Sequence, residues 1–135
     1  MGRRIAVKKI SLTFSGRLPG INEIVRENRT NRYAGAKQKR DVQARIAHTW
    51  RFLRGVRFEK RVLVRVRFYE EDNRRDDDNV FGGLKFILDT LQKMGVIKND
   101  GPKCVHVLPE RFTDRDNPRI EVDIEEMEDR KDALL

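Results

Sequence analysis

The segment Arg74-Arg75-Asp76-Asp77-Asp78-Asn79 places three carboxylates side by side. Adjacent carboxylates repel one another, and a nearby cation relieves that repulsion. Hard divalent ions such as Mg²⁺ take oxygen ligands of this kind. Where an extended corner enters a helix, alternate residues share a face, so Asp76 and Asp78 can point the same way. A second group follows along the helix. Taking about 100° per residue, Lys85 lies roughly −20° from Asp78, and Asp89 roughly +20°. A lysine on a line with aspartates could hold a phosphate or orient an attacking water. A solvated helix back would look the same. Further on, Lys98-Asn99-Asp100-Gly101 offers a last acid, which reads equally well as an Asp-Gly turn residue.

These residues need elements to position them. Ile10, Leu12 and Phe14 alternate with polar residues, as in a half-buried strand. Asn22–Ala36 is polar and rich in Asn and Arg, and reads as a loop. From Ala36 to Arg54 a helix is expected, with Val42, Ile46, Trp50 and Leu53 on one stripe. Lys37, Lys39 and Arg40 would crowd its first turn, where cations oppose the helix dipole. Arg61–Tyr69 predicts a strand with Val62, Val64, Val66 and Phe68 on one face. Its other face, with Arg61, Arg65, Arg67 and Tyr69, could line a groove for a phosphate backbone. A second helix is expected over Asn79–Met94, capped by Asp78 and stopped by Gly95. Strands over Lys103–Leu108 and Arg119–Glu125 complete the order β-α-β-α-β-β. This is an α+β fold with a small mixed sheet and two helices. Residues 1–125 form one domain and 126–135 a charged tail.

Several chemistries drop out. With one cysteine, Cys104, the chain forms no internal disulfide, and it carries no C-x-x-C zinc motif. Walker A, G-x-S-x-G and H-E-x-x-H are absent. The acidic run is no EF-hand, since Val80 and Phe81 occupy ligand and glycine places. His48 and His106 read as structural. No eighteen-residue apolar run spans a membrane and no apolar leader follows the basic N-terminus, so a cytoplasmic protein is expected. Charge is lopsided. Residues 1–67 hold 19 Lys/Arg against 4 Asp/Glu, a net of +15, and residues 68–135 hold 11 against 18, a net of −7. A basic face for a polyanion follows, with acids gathered elsewhere for another purpose.

Taken in order, the motifs resemble the RusA family of Holliday-junction resolvases, small endonucleases of bacteria and phages. Arg74-Arg75-Asp76-Asp77-Asp78-Asn79 matches the family's R-x-D-x-D-N corner. Lys85-Phe86-Ile87-Leu88-Asp89 matches its K-x-x-x-D helix, and Gly95-Val96-Ile97-Lys98-Asn99-Asp100 its G-[hydrophobic]-x-x-D-D turn. Leu12-Thr13-Phe14 with Leu18-Pro19-Gly20-Ile21-Asn22-Glu23, and Tyr33-Ala34-Gly35-Ala36-Lys37, are similar to the family's opening strand and basic loop. Two departures stand out. The gap from Asn79 to Lys85 is about three residues longer and holds Gly82 and Gly83, each about 1 kcal/mol unfavourable in a helix interior. Asn99 replaces the first acid of the turn.

The resemblance implies a homodimer that cuts four-way DNA junctions with Mg²⁺ or Mn²⁺. It assigns Asp76, Asp78 and Asp100 to the metal and Lys85 to catalysis; Asp77 and Asp89, beside them, are expected as outer partners. Arg29, Arg32, Lys37, Lys39, Arg40, Arg74 and Arg75 are the expected phosphate contacts. Two rival readings stand beside it: a basic nucleic-acid-binding protein without catalysis, and a metal nuclease for other branched DNA or RNA.

Overall fold

The computed structural model describes residues 5–6, 8–99 and 101–127. Its centre is a four-stranded mixed sheet in the order β2-β6-β4-β5. The strands are β2 (Lys9–Ser15), β4 (Val62–Glu70), β5 (Val105–Thr113) and β6 (Arg119–Glu126). A short parallel pair, β1 (Ile5–Ala6) with β3 (Val56–Arg57), lies apart from it. The helices are α1 (Ile21–Thr30), α2 (Arg32–Thr49), the single turn α3 (Asp77–Val80) and α4 (Leu84–Lys93). The expected α+β mixed sheet is present, with three helices of two turns or more rather than two. Among the described residues no helix is long and apolar enough to cross a membrane.

Register explains the core. Phe14, Ile120 and Phe68 lie opposite one another in one row, and Leu12, Val122 and Val66 in the next. Because side chains alternate across a strand, each row presents one apolar face. The helices cover it with Val42 and Ile46 from α2, Trp50 at its C-cap, and Ile87, Leu88 and Leu91 from α4, all buried. Trp50 meets Phe14 edge-on, at 6.4 Å between centroids, and its Nε1 donates to the Thr13 carbonyl at 3.0 Å. The parallel strands β4 and β5 need a crossover, which the α3–α4 segment supplies. At its end Gly95 takes φ +79°. There the Val96 N–H donates to the Leu91 carbonyl and the Gly95 N–H to that of Gln92, both at 3.0 Å. This is the stop expected of a glycine after the C-cap.

Other expectations are corrected. The stretch read as a loop, residues 22–36, is α1 and the first turn of α2. Ile21, Ile24 and Val25 carry helical spacing, and Asn31 alone separates the two helices. Its extended backbone ends α1, and its Oδ1 accepts the Ala34 N–H at 2.8 Å to start α2. Lys37, Lys39 and Arg40 therefore sit beyond the first turn, where the helix dipole acts weakly. Strand β5 begins at Val105 and runs on to Thr113, because β4 offers a partner as far as Glu70. The last strand extends to Glu126, and residues 128–135 of the expected tail lie outside the described residues.

On the polar side of the sheet Arg65 is exposed, whereas Arg67 is taken up by acids of β6. Arg67 donates from Nε to Glu121 at 3.2 Å and from NH2 to Asp123 at 2.9 Å. Arg119 donates to Glu121 and Asp114 at 2.8 Å and lies 3.9 Å over the Tyr69 ring. The Arg119 hydrogen bond is the main cause that holds the Glu121 carboxyl below its ordinary range. For Asp123 burial pushes the other way, but Ser11 and Arg67 together lower it. An acid lowered on folding stabilises the protein above its unfolded pKa, and that contribution disappears as pH falls through the folded pKa. The thermal midpoint should therefore drop on acidification below about pH 4. Glu121→Gln with Asp123→Asn should flatten that drop. A midpoint that follows the parent protein from pH 5 to pH 2 would show that the ladder carries no such linkage.

Candidate active site

The acidic corner hangs from a buried ion pair. Glu70 occupies the next inward position of β4 after Val66 and Phe68, and is 3% exposed. A carboxylate there needs a partner, since an unpaired buried charge is costly. Arg75 supplies it, donating from Nε to Oε1 at 2.8 Å and from NH2 to Oε2 at 2.9 Å. Its NH1 donates to the Leu18 carbonyl at 3.1 Å and lies 3.6 Å from Glu23. Arg75 is itself only 8% exposed. The expected phosphate contact at this position is corrected: the guanidinium is committed inside. Its neighbour Arg74 is 89% exposed, 3.5 Å from Asp72, and turned to solvent.

Asn79 ties the same corner to α1. Its Oδ1 accepts the Asn22 N–H at 2.9 Å, which satisfies a donor of α1's first turn that the N-cap Gly20 cannot reach. A Cβ on Gly20 would lie 2.5 Å from the Asn79 carbonyl oxygen, and one on Gly82 would lie 2.6 Å from the Ile21 nitrogen. The two glycines of the corner region thus permit backbone to meet backbone. Gly82 has this role in place of an ordinary helical one.

The three acids then divide. Asp76, not Asp78, is the N-cap of α3, and its carbonyl accepts the Val80 N–H at 3.0 Å. Asp77 accepts from Arg111 NH1 at 3.1 Å. The same guanidinium donates to the carbonyls of Arg75 at 2.7 Å and Asp72 at 2.8 Å, clamping the corner to β5. Arg111 was missed in the sequence. Its signal was an arginine in line with Val105, Val107 and Pro109 on the inward side of a strand. Asp76 and Asp78 are exposed, and among the described residues neither pairs with a cation. Asp78 accepts the neighbouring Asn79 N–H at 3.1 Å.

The straight helix expected over Asn79–Met94 is interrupted by a 3₁₀ turn, Phe81–Gly83. Three residues at about 120° rather than 100° shift the phase beyond them by about 60°. The line drawn from Asp78 to Lys85 is therefore broken. Its later half holds: Lys85 Nζ lies 3.2 Å from Asp89 Oδ1, and Lys39 Nζ of α2 lies 3.6 Å from Asp89 Oδ2. Asp89 thus joins a candidate catalytic lysine to a candidate phosphate contact. Asp100 lies outside the described residues. Its neighbour Asn99 accepts the Gly101 N–H at 2.8 Å. Among the described residues no three His, Cys, Asp or Glu side chains gather as a metal cage.

Of the remaining cations, Arg29, Arg32, Lys37, Lys39 and Arg40 are exposed on α1 and α2. Lys37 pairs with Asp41 at 2.8 Å, and that hydrogen bond is the main reason the Asp41 carboxyl is lowered. Compared with known proteins, the chain matches no family model and no curated sequence.

The neighbouring arginines should behave oppositely. Arg75→Met leaves Glu70 buried without a partner and should cost about 3–5 kcal/mol in urea unfolding. Arg74→Ala should stay within about 0.5 kcal/mol of the parent. Equal effects of the two would remove the buried pair as the corner's anchor.

Proposed function

We propose that the chain is a divalent-metal-dependent endonuclease of the RusA kind, acting as a homodimer on four-way DNA junctions. The observation that carries this reading is the division of the acidic run. All three acids are exposed, but Asp77, outside the family pattern, is engaged by Arg111, whereas Asp76 and Asp78, the two acids of the pattern, have no cation beside them among the described residues. Their donor set of carboxylate oxygens fits Mg²⁺. Asp76 and Asp78 would hold the ion, with Asp100 joining them by resemblance. A bound Mg²⁺ would polarise the scissile phosphate and lower the pKa of a water.

The chain's own residues do the rest. Lys85, oriented by Asp89, offsets negative charge that grows on the phosphate in the transition state. In-line attack leaves a 5′-phosphate and a 3′-hydroxyl. Lys39 sits on the other side of Asp89, so the phosphate contacts of α2 run directly up to this lysine. Lys37, Arg40, Arg29, Arg32 and Arg74 extend the cationic surface, and binding through it releases counterions.

One observation favours the non-enzymatic reading. Arg111 already relieves part of the repulsion in the acidic run, so the acids do not require a metal for the corner to fold. The two readings part on a gel. An immobile four-way junction should be nicked symmetrically in Mg²⁺, with linear duplex intact and activity lost in EDTA. Binding without cutting in Mg²⁺ or Mn²⁺ would leave a nucleic-acid-binding protein.

Asp76→Asn and Asp78→Asn should each slow cutting by more than about a hundredfold with junction binding retained. Asp77→Asn should cut at close to the parent rate. Lys85→Ala should lose about 10²–10³ in rate and far less in affinity. Equal loss of both would make Lys85 a plain DNA contact. Replacing Lys37 and Lys39 with Ala should reduce the slope of log affinity against log salt by about 2. An unchanged slope would take both lysines out of the interface.

A further inference from the structure

We propose that Tyr33, at the corner between α1 and α2, is a stacking platform for an unpaired nucleobase. Tyr33 is 71% exposed, the most exposed of the large apolar side chains in the described residues. The ring is left free to stack, whereas α2 buries Val42 and Ile46. Its immediate neighbour Arg32 lies 5.2 Å from the ring centroid and donates to the Tyr33 hydroxyl at 3.3 Å. The arginine thus restrains the ring and adds a cation beside it.

The surroundings specify the partner's charge. Residues 26–40 hold six Lys/Arg and a single acid, Glu27. A protein surface could also take an exposed tyrosine, but this balance of charge favours a polyanion. Bases have an apolar π-face on a charged backbone, and aromatic rings interleaved with cations bind single strands in that way.

Position adds a geometric reason. Helix α1 leaves the acidic corner, where Asn79 caps it, and α2 returns beside α4, where Lys39 meets Asp89. The two helices pack against each other as a hairpin, with Tyr33 close to its turn. Around α2, Lys37 and Arg40 lie within about 40° of Tyr33, and Lys39 about 120° away, toward α4. At Gly35 the missing side chain lets α2 pack closely on α1, since a Cβ there would strike the Asn28 side chain. A strand whose phosphates follow Lys37 and Arg40 would pass its bases near the ring. Unpaired bases are available in single strands, and base faces without a stacking neighbour at the centre of an open four-way junction, but neither in linear duplex.

The inference rests on the nucleic-acid reading of the basic half and not on cleavage. The test uses the full chain in EDTA with three fluorescent DNAs: a 20-nucleotide single strand, linear duplex and the four-way junction. Tyr33→Ala should weaken single-strand and junction binding by about tenfold, with duplex binding and thermal midpoint unchanged. Tyr33→Phe should restore binding, since the ring suffices. A 2-aminopurine placed in the single strand should be quenched by the parent protein and by Tyr33→Phe, but not by Tyr33→Ala.

An equal loss on all three DNAs would make Tyr33 a general contact and overturn the proposal, as would no loss on any. A parent protein that binds none of the DNAs would overturn it together with the nucleic-acid reading. Selective stacking without cutting in Mg²⁺ would overturn the nuclease alone and uphold the platform.

Discussion

The Arg75–Glu70 pair carries the arrangement around it. Glu70 ends β4 on the inward side, where a carboxylate is tolerated only if it is neutralised and hydrogen-bonded. Arg75 meets it through two donors, then reaches Leu18 and Glu23 with a third. One guanidinium thereby fixes the end of a strand, the approach to α1 and the start of the acidic run. With Arg75 turned inward, the acids that follow lie outward on the first turn of a helix. The chemistry proposed for Asp76 and Asp78 depends on a charge pair that never meets substrate.

Much of the fold was legible in the residues. The alternation in β2, β4 and β6 marked their inward faces, and register placed those faces in common rows. The stripe Val42, Ile46 and Trp50 marked α2. Helix α1 was not recognised because its polar residues outnumber the apolar ones, and it buries no side chain fully. It is held at its start by Asn79 and along its length against α2, with only Ile24 reaching the core. The different fates of Arg74 and Arg75 were readable in principle. Extending the alternation of β4 by one step puts Glu70 in the core, and a buried acid calls for a nearby cation.

The candidate site was legible in part. The acids and Lys85 were identified by type and order, and the Lys85–Asp89 contact is present at the expected four-residue spacing. The helical phase from Asp78 was not, because the Phe81–Gly83 turn winds more tightly. Arg111 was missed because its partners lie 34 to 39 residues away in sequence. A contact at that separation follows from strand pairing, which local spacing does not reveal.

The Arg111 clamp has a consequence for motion. Strand β5 lies at the edge of the sheet, paired on one side only, and Arg111 sits two residues from its end. Edge-strand ends are among the first parts of a fold to open locally. When this one opens, the three hydrogen bonds to the corner go with it. Amide hydrogens of residues 72–77 and of the last residues of β5 should thus exchange as one unit, and the acids would change their spacing in step with a strand that holds none of them.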